Sequence, residues 1–551
     1  MKSTNKLTNM INAMVPGKKT FNRRIAVMAL AALCFCFLLD FARAATTDVP
    51  EKDITAPIHI HPENPKLFEF KGKPVVLLCA TEHYGAVMNR PFDFDKYLAD
   101  AADKKQTLTR LFLLFRELQN AMNPYSTCKP ESPDYISPFV RTGPENALDG
   151  LPKYDLDEYN PEFFNRLHRF LSLASEYGIV VEVVLFSNTY APQIWSLNPL
   201  NRSNNINDVE VIDWYDYNTK RHPKLFARQI NYVIKVVREL NQYDNIIYEI
   251  CNEPGGNFPD SNAPASEVVD EWIAAIISEI RNVEATLPNT HLIAGQEAFK
   301  YKLHEEEVNL KDVHQFSGKS FKQMDYDVVN MHPLSNMWHD GKNYDLGRFM
   351  SGSLHLRQYR DYCLATYPEP KPLNLDEDNA ASRLMDMNGW TIHRKRAWTT
   401  LMCGAHYDMI DFSINKYMET GTTASQVHLR TWMKNLSEFI HSIDLLHAKP
   451  LPECLKKVPE SVCASVLAAE GRDYNIYLAD ERESNDPDAG KPIKGKIIVD
   501  IPEGEYACKL YSPVKGMYSP EIPLQGGTDT SVEISEFVHD VVIRITRVKP
   551  E

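Results

Sequence analysis

A glutamate ends an apolar run near the middle of the chain, and a second glutamate ends a similar run later. Residues 245–252 are mostly apolar and β-branched, and Glu253-Pro254 follows them. Such a run is typical of a strand buried on both faces. Proline cannot donate to a strand ladder, so Glu253 is expected at the C-terminal edge. Residues 372–377 place Glu377 in the same way. Two carboxyl groups at strand ends can serve as proton donor and nucleophile.

The elements that would position these glutamates alternate regularly between strand and helix. Helical patterns, such as residues 161–178 and 266–287, separate the apolar runs. The predicted strands are residues 75–84, 108–115, 179–186, 245–252, 291–296, 327–332, 372–377 and 405–412. Eight such units predict an α/β fold, a (β/α)₈ TIM barrel, whose catalytic groups lie at the C-terminal strand ends.

Strands four and seven lie on opposite sides of such a barrel, so Glu253 and Glu377 can flank a bound bond. Hydrolysis of a glycosidic bond requires this arrangement. One carboxyl group protonates the leaving oxygen, while the other attacks carbon or activates water. Opposed strand ends favour the short separation of enzymes that retain anomeric configuration.

The strand-end motif Asn252-Glu253-Pro254, with His332 and Glu377, resembles the glycoside hydrolases of clan A, especially the cellulase-type enzymes of family 5. The likeness covers residues 65 to about 415 and includes segments 82–87 and 109–112. It implies a retaining enzyme that cleaves β-linked bonds in poly- or oligosaccharides by double displacement, without cofactor or metal.

The same resemblance implies roles for single residues. Glu253 would be the acid/base, Glu377 the nucleophile, and Asn252 a hydrogen-bond donor to the 2-hydroxyl of the sugar. Arg110 and His332 would hold and tune the two carboxylates. The chain departs from the family pattern at Asp376-Glu377-Asp378, where many relatives have Gly-Glu. Because side chains alternate along a strand, we expect the two aspartates to face away from Glu377.

Further residues are candidates for the substrate-binding mouth of the barrel. Asp411 on strand eight and His83 on strand one would line this mouth, as site residues or as structural ion pairs. Tyr84, Trp195 and Trp338 fall in or near loops of the same face, where a flat aromatic ring can stack on a sugar. Packing beneath a long loop is the competing role for each of them.

Two other functions compete with hydrolysis of sugars. His59 and His61, with His291, His332 and Asp411, imitate the ligand set of metal-dependent amidohydrolase barrels. In those barrels, however, the His-x-His motif lies on strand one, and strand four usually carries a lysine. The second alternative is a catalytically inactive carbohydrate-binding protein, which the presence of both glutamates argues against.

The N-terminus predicts export to the periplasm or the extracellular space. Residues 1–44 combine a basic segment, the apolar run 25–39 and a small-x-small cleavage site at 42–44, as in a signal peptide. No membrane insertion is expected after cleavage. The formal net charge of −14 disfavours nucleic acid, which leaves a carbohydrate substrate as the expected partner. Nothing in the sequence identifies a protein partner.

We expect the barrel domain to cover residues 45–446 and a C-terminal β-sandwich to cover residues 447–551. Short alternating runs at 474–478, 495–500, 506–510 and 541–545 are separated by turn residues. This second domain has few aromatic residues that look exposed, so packing on the barrel is favoured over glycan binding. The absence of C-x-x-C disfavours a zinc framework, while a bridge among Cys454, Cys463 and Cys508 is left open.

Overall fold

The computed structural model describes residues 56–82, 85–114, 134–189, 191–255, 263–301, 313–347 and 350–548. The predicted signal peptide lies outside these residues. No described helix is both long enough and apolar enough to cross a lipid bilayer.

A parallel sheet of eight strands forms the body of the chain and confirms the predicted barrel. The strands β1 to β8 are Leu78–Thr81, Leu108–Phe112, Val180–Ser187, Ile246–Asn252, Leu292–Gly295, Val328–Asn330, Leu373–Asp378 and His406–Ile410. From β2 to β8 each strand pairs with the next in sequence, and β8 pairs with β1, so β1 and β2 are the two ends of the sheet. Between β1 and β2, the Arg110 amide donates to the Thr81 hydroxyl (3.3 Å) and the Thr107 amide to the Leu78 carbonyl (3.1 Å), so the barrel is nearly closed.

Helices α1 to α8 alternate with these strands. They are Phe94–Asp103, Pro161–Glu176, Pro223–Leu240, Ser266–Glu284, Ser317–Lys322, Leu356–Thr366, Met387–Met402 and Thr431–Ile440. Helix α2 shows how local sequence sets the boundaries. Asn160 caps its first turn by accepting from the Glu162 amide, Pro161 occupies its first position, and Gly178 follows with a φ of +73°.

A three-stranded antiparallel sheet covers the N-terminal end of the barrel. Its strands are His59–Ile60, Phe68–Phe70 and Lys73–Val75. Lys71 and Gly72 both have positive φ (51° and 70°), as in the tight turns that join hairpin strands. The predicted hairpin is therefore confirmed, and its apolar residues pack against the starts of the barrel strands.

Long connections at the C-terminal ends of the strands carry structure that the sequence did not predict. They contain a hairpin of the strands Phe139–Asn146 and Pro152–Tyr159 and a four-stranded sheet of Lys300–Tyr301, Val313–Phe316, Asn336–His339 and Lys342–Asp345. Their short helical segments are Pro192–Trp195, Arg202–Asn204, Trp214–Asp216, Thr423–Ser425 and Gln426–Arg430. These connections surround the end of the barrel at which Glu253 and Glu377 lie.

The C-terminal part is built of β-strands, as predicted, but the strands are longer. Strands β9 to β13 are Val462–Ala469, Asp473–Asp480, Ile493–Ser512, Ile522–Phe537 and Asp540–Arg547. Three shorter strands, Lys449–Pro450, Leu455–Lys457 and Met517–Tyr518, and one 3₁₀ turn, Pro452–Cys454, accompany them. The runs predicted at 495–500 and 506–510 are one strand, β11. Its register against β12 shifts between Val499 and Gly504, so one ladder bends over an apolar core.

Helix α7 joins the barrel to the C-terminal strands. The Trp398 ring stacks on Tyr477 of β10, with centroids 5.4 Å apart and planes at 17°. Arg394 donates to Asp540 of β13 through Nε and Nη2, both at 2.9 Å. One apolar cluster includes residues of both parts. The C-terminal domain therefore shares a core with the barrel.

The described cysteines are buried and free, so no bridge joins Cys454, Cys463 and Cys508.

Candidate active site

Glu253 and Glu377 come together at the C-terminal end of the barrel. Glu253 follows β4, and Glu377 belongs to β7. Both have a φ in the left-handed region, 46° and 53°, which is uncommon for residues other than glycine and is concentrated at functional sites. One carboxylate oxygen of each lies within 4.8 Å of the other and of a His332 ring nitrogen. The side chains are 17% and 6% exposed, so Glu253 is the more accessible of the two.

Arg110 on β2 holds Glu377 from within the barrel. Its guanidinium donates to Glu377 through Nη1, to Glu249 through Nε (2.7 Å) and Nη2 (2.6 Å), and to the Asn252 Oδ1 atom (2.8 Å). Burial disfavours the charge, but Asp376, Glu249 and Glu377 together raise the pKa of Arg110 well above its usual value. The result is a fixed cation against Glu377.

His332 occupies the corresponding place beside Glu253. Its Nδ1 atom lies 3.1 Å from Glu253 Oε1, and its Nε2 atom lies 3.3 Å from Asp376 Oδ2 and 4.0 Å from Glu377 Oε2. Burial opposes protonation, but the charge of Glu377 and the contacts with Asp376 and Glu253 raise the pKa of His332 well above 6.5. His332 therefore contacts both glutamates, and the tuning role that the resemblance implies for it stays a prediction.

Asn252 is fixed in orientation between two neighbours. Its Oδ1 atom accepts from Arg110, and its Nδ2 atom donates to the Ser187 hydroxyl of β3 (3.3 Å). This places the amide beside Glu253 at the end of β4. Its role as donor to a substrate hydroxyl stays a prediction.

The two aspartates beside Glu377 do not behave alike. Asp378 faces outward, where it accepts from Arg396 Nη1 (2.8 Å) and the Tyr407 hydroxyl (3.1 Å), as alternation predicts. The prediction that Asp376 also faces away from Glu377 is wrong, because Asp376 contacts the same Arg110 and His332. The left-handed φ of Glu377 and the register shift between Leu375 and Asp378 interrupt the alternation.

Three buried acids beneath the site were missed by the sequence reasoning. Glu249 lies on β4, Glu182 on β3 and Asp408 on β8. Burial raises the pKa of Glu249 to about 6 in spite of Arg110, and burial with Asp376 nearby raises those of Glu182 and Asp408 well above their usual values. Cys79 donates to Asp408 through Sγ (2.9 Å). Each is the one acidic residue in an otherwise largely apolar strand, and this pattern could have predicted that its side chain points into the barrel.

Two residues predicted for the mouth have structural roles. Asp411 accepts from the hydroxyls of Ser413 (2.7 Å) and Ser425 (2.5 Å), so it anchors the connection after β8. Trp195 is 7% exposed and packs against Tyr217, with centroids 5.4 Å apart. The structure thus shows for each the structural role that was weighed as its alternative, while binding of a sugar by either stays a prediction.

The remaining candidates for the mouth keep their status as predictions. Trp338 lies half-buried on the strand Asn336–His339, in the small sheet of the long connections. His83 and Tyr84 lie outside the described residues.

The ligand set of the amidohydrolase alternative is not assembled. His59 and His61 lie in the sheet at the N-terminal end, 4.0 and 3.7 Å from Glu69. His291 precedes β5 and pairs with Glu284 at 2.7 Å. His332, in contrast, lies among the glutamates at the opposite end of the barrel.

Other groups of side chains have the spacing of metal ligands. Glu253, His332 and Glu377 form one such group, Glu182, Glu249 and Asp376 a second, and His339, Asp340 and Glu369 a third. Arg110 contacts acids of the first two groups, while Lys322 lies 3.2 Å from Asp340 and 3.0 Å from Glu369. A cationic side chain thus already opposes the carboxylates in each group.

The eight-stranded barrel, with Glu253 and Glu377 at the ends of β4 and β7, has the fold of solved glycoside hydrolases. The chain superposes on a glycoside hydrolase family 5 crystal structure from Bacteroides vulgatus ATCC 8482 with a TM-score of 0.55, 13% identity, and coverage of 89% of this chain and 94% of that one. A second solved glycoside hydrolase gives a TM-score of 0.52 at 11% identity, covering 90% and 98%.

Sequence comparisons match smaller parts of the chain. Residues 128–258 match the family model described as a domain of unknown function, DUF6298. Endoglucanase A from Butyrivibrio fibrisolvens is 34% identical over 82 residues, which are 15% of this chain and 18% of that protein. The match with this curated relative therefore spans less than a fifth of its length.

Proposed function

We propose that the protein is a retaining glycoside hydrolase that cleaves β-linked bonds in poly- or oligosaccharides. The observation that carries the proposal is the pair Glu253 and Glu377, whose carboxylate oxygens lie within 4.8 Å of each other. Retaining enzymes have carboxyl groups about 5–5.5 Å apart, whereas inverting enzymes need about 6.5–9.5 Å to admit a water molecule. The fold shared with solved glycoside hydrolases supports the same class.

The roles of the glutamates follow from their surroundings. Glu377, held by Arg110, attacks the anomeric carbon and forms a covalent glycosyl-enzyme. Glu253, more exposed and in contact with His332, protonates the leaving oxygen. In the second step Glu253 takes a proton from water, which attacks the same carbon and releases Glu377. Two inversions at that carbon retain its configuration.

The substrate and the location of the enzyme belong to the same proposal. Endoglucanase A is named for action on a glucan, but the short match with it does not select one sugar for this chain. A hydrolysis screen over β-linked glucans, mannans, galactans and xylans identifies the substrate. The basic and apolar leader supports export to the periplasm or the extracellular space.

Proton NMR of the first product released from the best β-glycoside tests the mechanism. We expect the β-anomer to appear before mutarotation sets in. An activated 2-deoxy-2-fluoro glycoside should also label Glu377, because the fluorine slows both steps while the activated leaving group speeds only formation of the glycosyl-enzyme. Peptide mapping by mass spectrometry locates the label.

A variant of the labelled residue and a variant of its neighbour provide the control. Glu377→Gln should take up no label, while Asp378→Asn, whose side chain faces Arg396, should be labelled like the unaltered protein. Initial release of the α-anomer would exclude double displacement. A label on Asp376 would preserve the mechanism but assign the nucleophile to that residue.

A further inference from the structure

Asp376 lies next to Glu377 on β7, but the two-glutamate reaction gives it no role. Its side chain is completely buried. The Oδ2 atom lies 3.3 Å from Arg110 Nε and 3.3 Å from His332 Nε2. Arg110 holds Glu377, and His332 contacts Glu253. One carboxylate oxygen therefore links the two cations that contact the catalytic glutamates.

The contact with Asp376 determines which nitrogen of His332 carries a proton. An ionised carboxylate can only accept, so the Nε2 atom that faces Asp376 must be the protonated one. The Nδ1 atom then faces Glu253 Oε1 at 3.1 Å. A single proton between these atoms resides either on Glu253 or on Nδ1, and both forms contain the same number of protons. Glu253 and His332 therefore titrate as a pair.

We propose that Asp376 is a positioning residue for the acid/base of this reaction. Its carboxylate, 3.3 Å from Nε2 of His332, forms an ion pair with the ring and so keeps Nδ1 turned towards Glu253. Its negative charge retains the proton that the Glu253–His332 pair delivers to the leaving oxygen. The destination of that proton rests on the proposed hydrolysis, whereas the contact between Asp376 and His332 does not.

Other titratable groups face Asp376 and His332 from the remaining strands. They are Cys79 on β1, Arg110 on β2, Glu182 on β3, Glu249 on β4, Glu253 after β4, Glu377 on β7 and Asp408 on β8. Burial, together with the charge of Asp376, raises the pKa of Asp408 well above its usual value. Asp376 itself remains ionised, because Arg110 and His332 outweigh its burial and lower its pKa to about 2.

Asp376→Asn tests the proposal because it keeps the size and the acceptor oxygen but removes the charge. We expect the basic limb of the kcat/KM profile against pH to move down by about one pH unit or more, since an opposite charge at this distance shifts a pKa by about 1–3 units. Substrates with poor leaving groups should show the shift most clearly. Because ionisation of Asp408 would restore the lost charge, the double variant Asp376→Asn/Asp408→Asn is measured as well.

Asp378→Asn is the matched control. Asp378 is equally buried and equally close to Glu377 in sequence, but it contacts Arg396 and Tyr407 outside the barrel. A loss of packing would affect both variants, whereas loss of the charge beside His332 occurs only in Asp376→Asn. Equal shifts of the basic limb in both variants, or no shift in Asp376→Asn and in the double variant, would overturn the proposal.

Nitrogen-15 NMR of histidine side chains in the unaltered protein gives a readout without substrate. The chain has 17 histidines, so the His332 signal is assigned by its loss in His332→Gln. We expect a proton on Nε2 and an imidazolium that persists above pH 6.5. A neutral ring with its proton on Nδ1 at pH 7 would contradict the proposal even if Asp376→Asn failed to fold. If the His332 signals are as expected but the unaltered protein hydrolyses no glycoside, the proposed function is refuted and the contact between Asp376 and His332 is not.

Discussion

Substituting Asp540 with asparagine is expected to destabilise the barrel together with the C-terminal strands. Asp540 on β13 accepts from Nε and Nη2 of Arg394 on α7, each at 2.9 Å, and from the Tyr477 hydroxyl at 3.0 Å. The charged side chains are 1% and 0% exposed. The variant keeps the shape of the site but leaves a buried guanidinium without its counter-charge.

The magnitude follows from this burial. Removing one partner of a buried ion pair costs about 3–5 kcal/mol, because the remaining charge is desolvated and uncompensated. A second ion pair joins the same two parts of the chain and serves as a control. Arg357 donates to Glu481 at 2.9 and 2.7 Å, but these side chains are 52% and 25% exposed. Solvent screens such a pair, so Glu481→Gln should cost less than about 1 kcal/mol.

Urea unfolding, followed by tryptophan fluorescence and far-ultraviolet circular dichroism, measures both variants. The chain has seven tryptophans, so the signal of Trp398, whose ring stacks on Tyr477 at the boundary, is taken as the difference from Trp398→Phe. Circular dichroism reports on the α-helices, which among the described residues all lie in the barrel. We expect one transition with both probes, shifted strongly in Asp540→Asn and weakly in Glu481→Gln. Two separate transitions, of which Asp540→Asn moves only one, would refute the shared core. Equal losses in the two variants would refute the role given to burial.

Two further predictions concern single carboxyl groups. Glu253→Gln should lower kcat/KM most on substrates with poor leaving groups, which need a proton in the transition state, and an equal loss on activated aryl glycosides would remove Glu253 from the acid/base role. Glu297 has a pKa raised from 4.5 to about 8 by burial and by Asp270, so its stabilising contribution is present below pH 4.5 and is lost as the pH rises towards 8. The free energy of unfolding should therefore decrease over that interval, and Glu297→Gln should reduce this decrease.

Sequence periodicity was sufficient to predict the barrel because its strands are buried on both faces. Runs such as residues 179–186 are apolar at every position except Glu182, and β3 occupies Val180–Ser187. The same reasoning divided β11 into two strands at Pro502 and Gly504, where a turn was expected. The chain instead continues through a bend, because β12 pairs with β11 on both sides of it. Local turn residues alone do not distinguish a bent strand from a hairpin.

The glutamates were predictable because a strand end fixes where a residue lies, but the direction of a side chain also depends on φ. Alternation assumes extended backbone, and Glu377 has a φ of 53°. Asp376 therefore shares its surroundings, although two successive strand residues should point apart. For Trp195 and Asp411, sequence predicted the correct end of the barrel. It could not show that Ser425 would occupy the carboxylate of Asp411 from a distant segment.

The barrel interior contains more carboxyl groups than cations, and this sets the charge beneath the two glutamates. Asp376 is balanced by Arg110 and His332, while Glu182 and Asp408 lie close enough to Asp376 for its charge to raise their pKa values. A second negative charge at either position would be buried without a cation of its own. Protonation of Glu182 and Asp408 avoids that cost, so these two carboxyl groups hold protons directly below the site. The charge that faces His332 from within the barrel is thus a property of this connected set of acids and not of Asp376 alone.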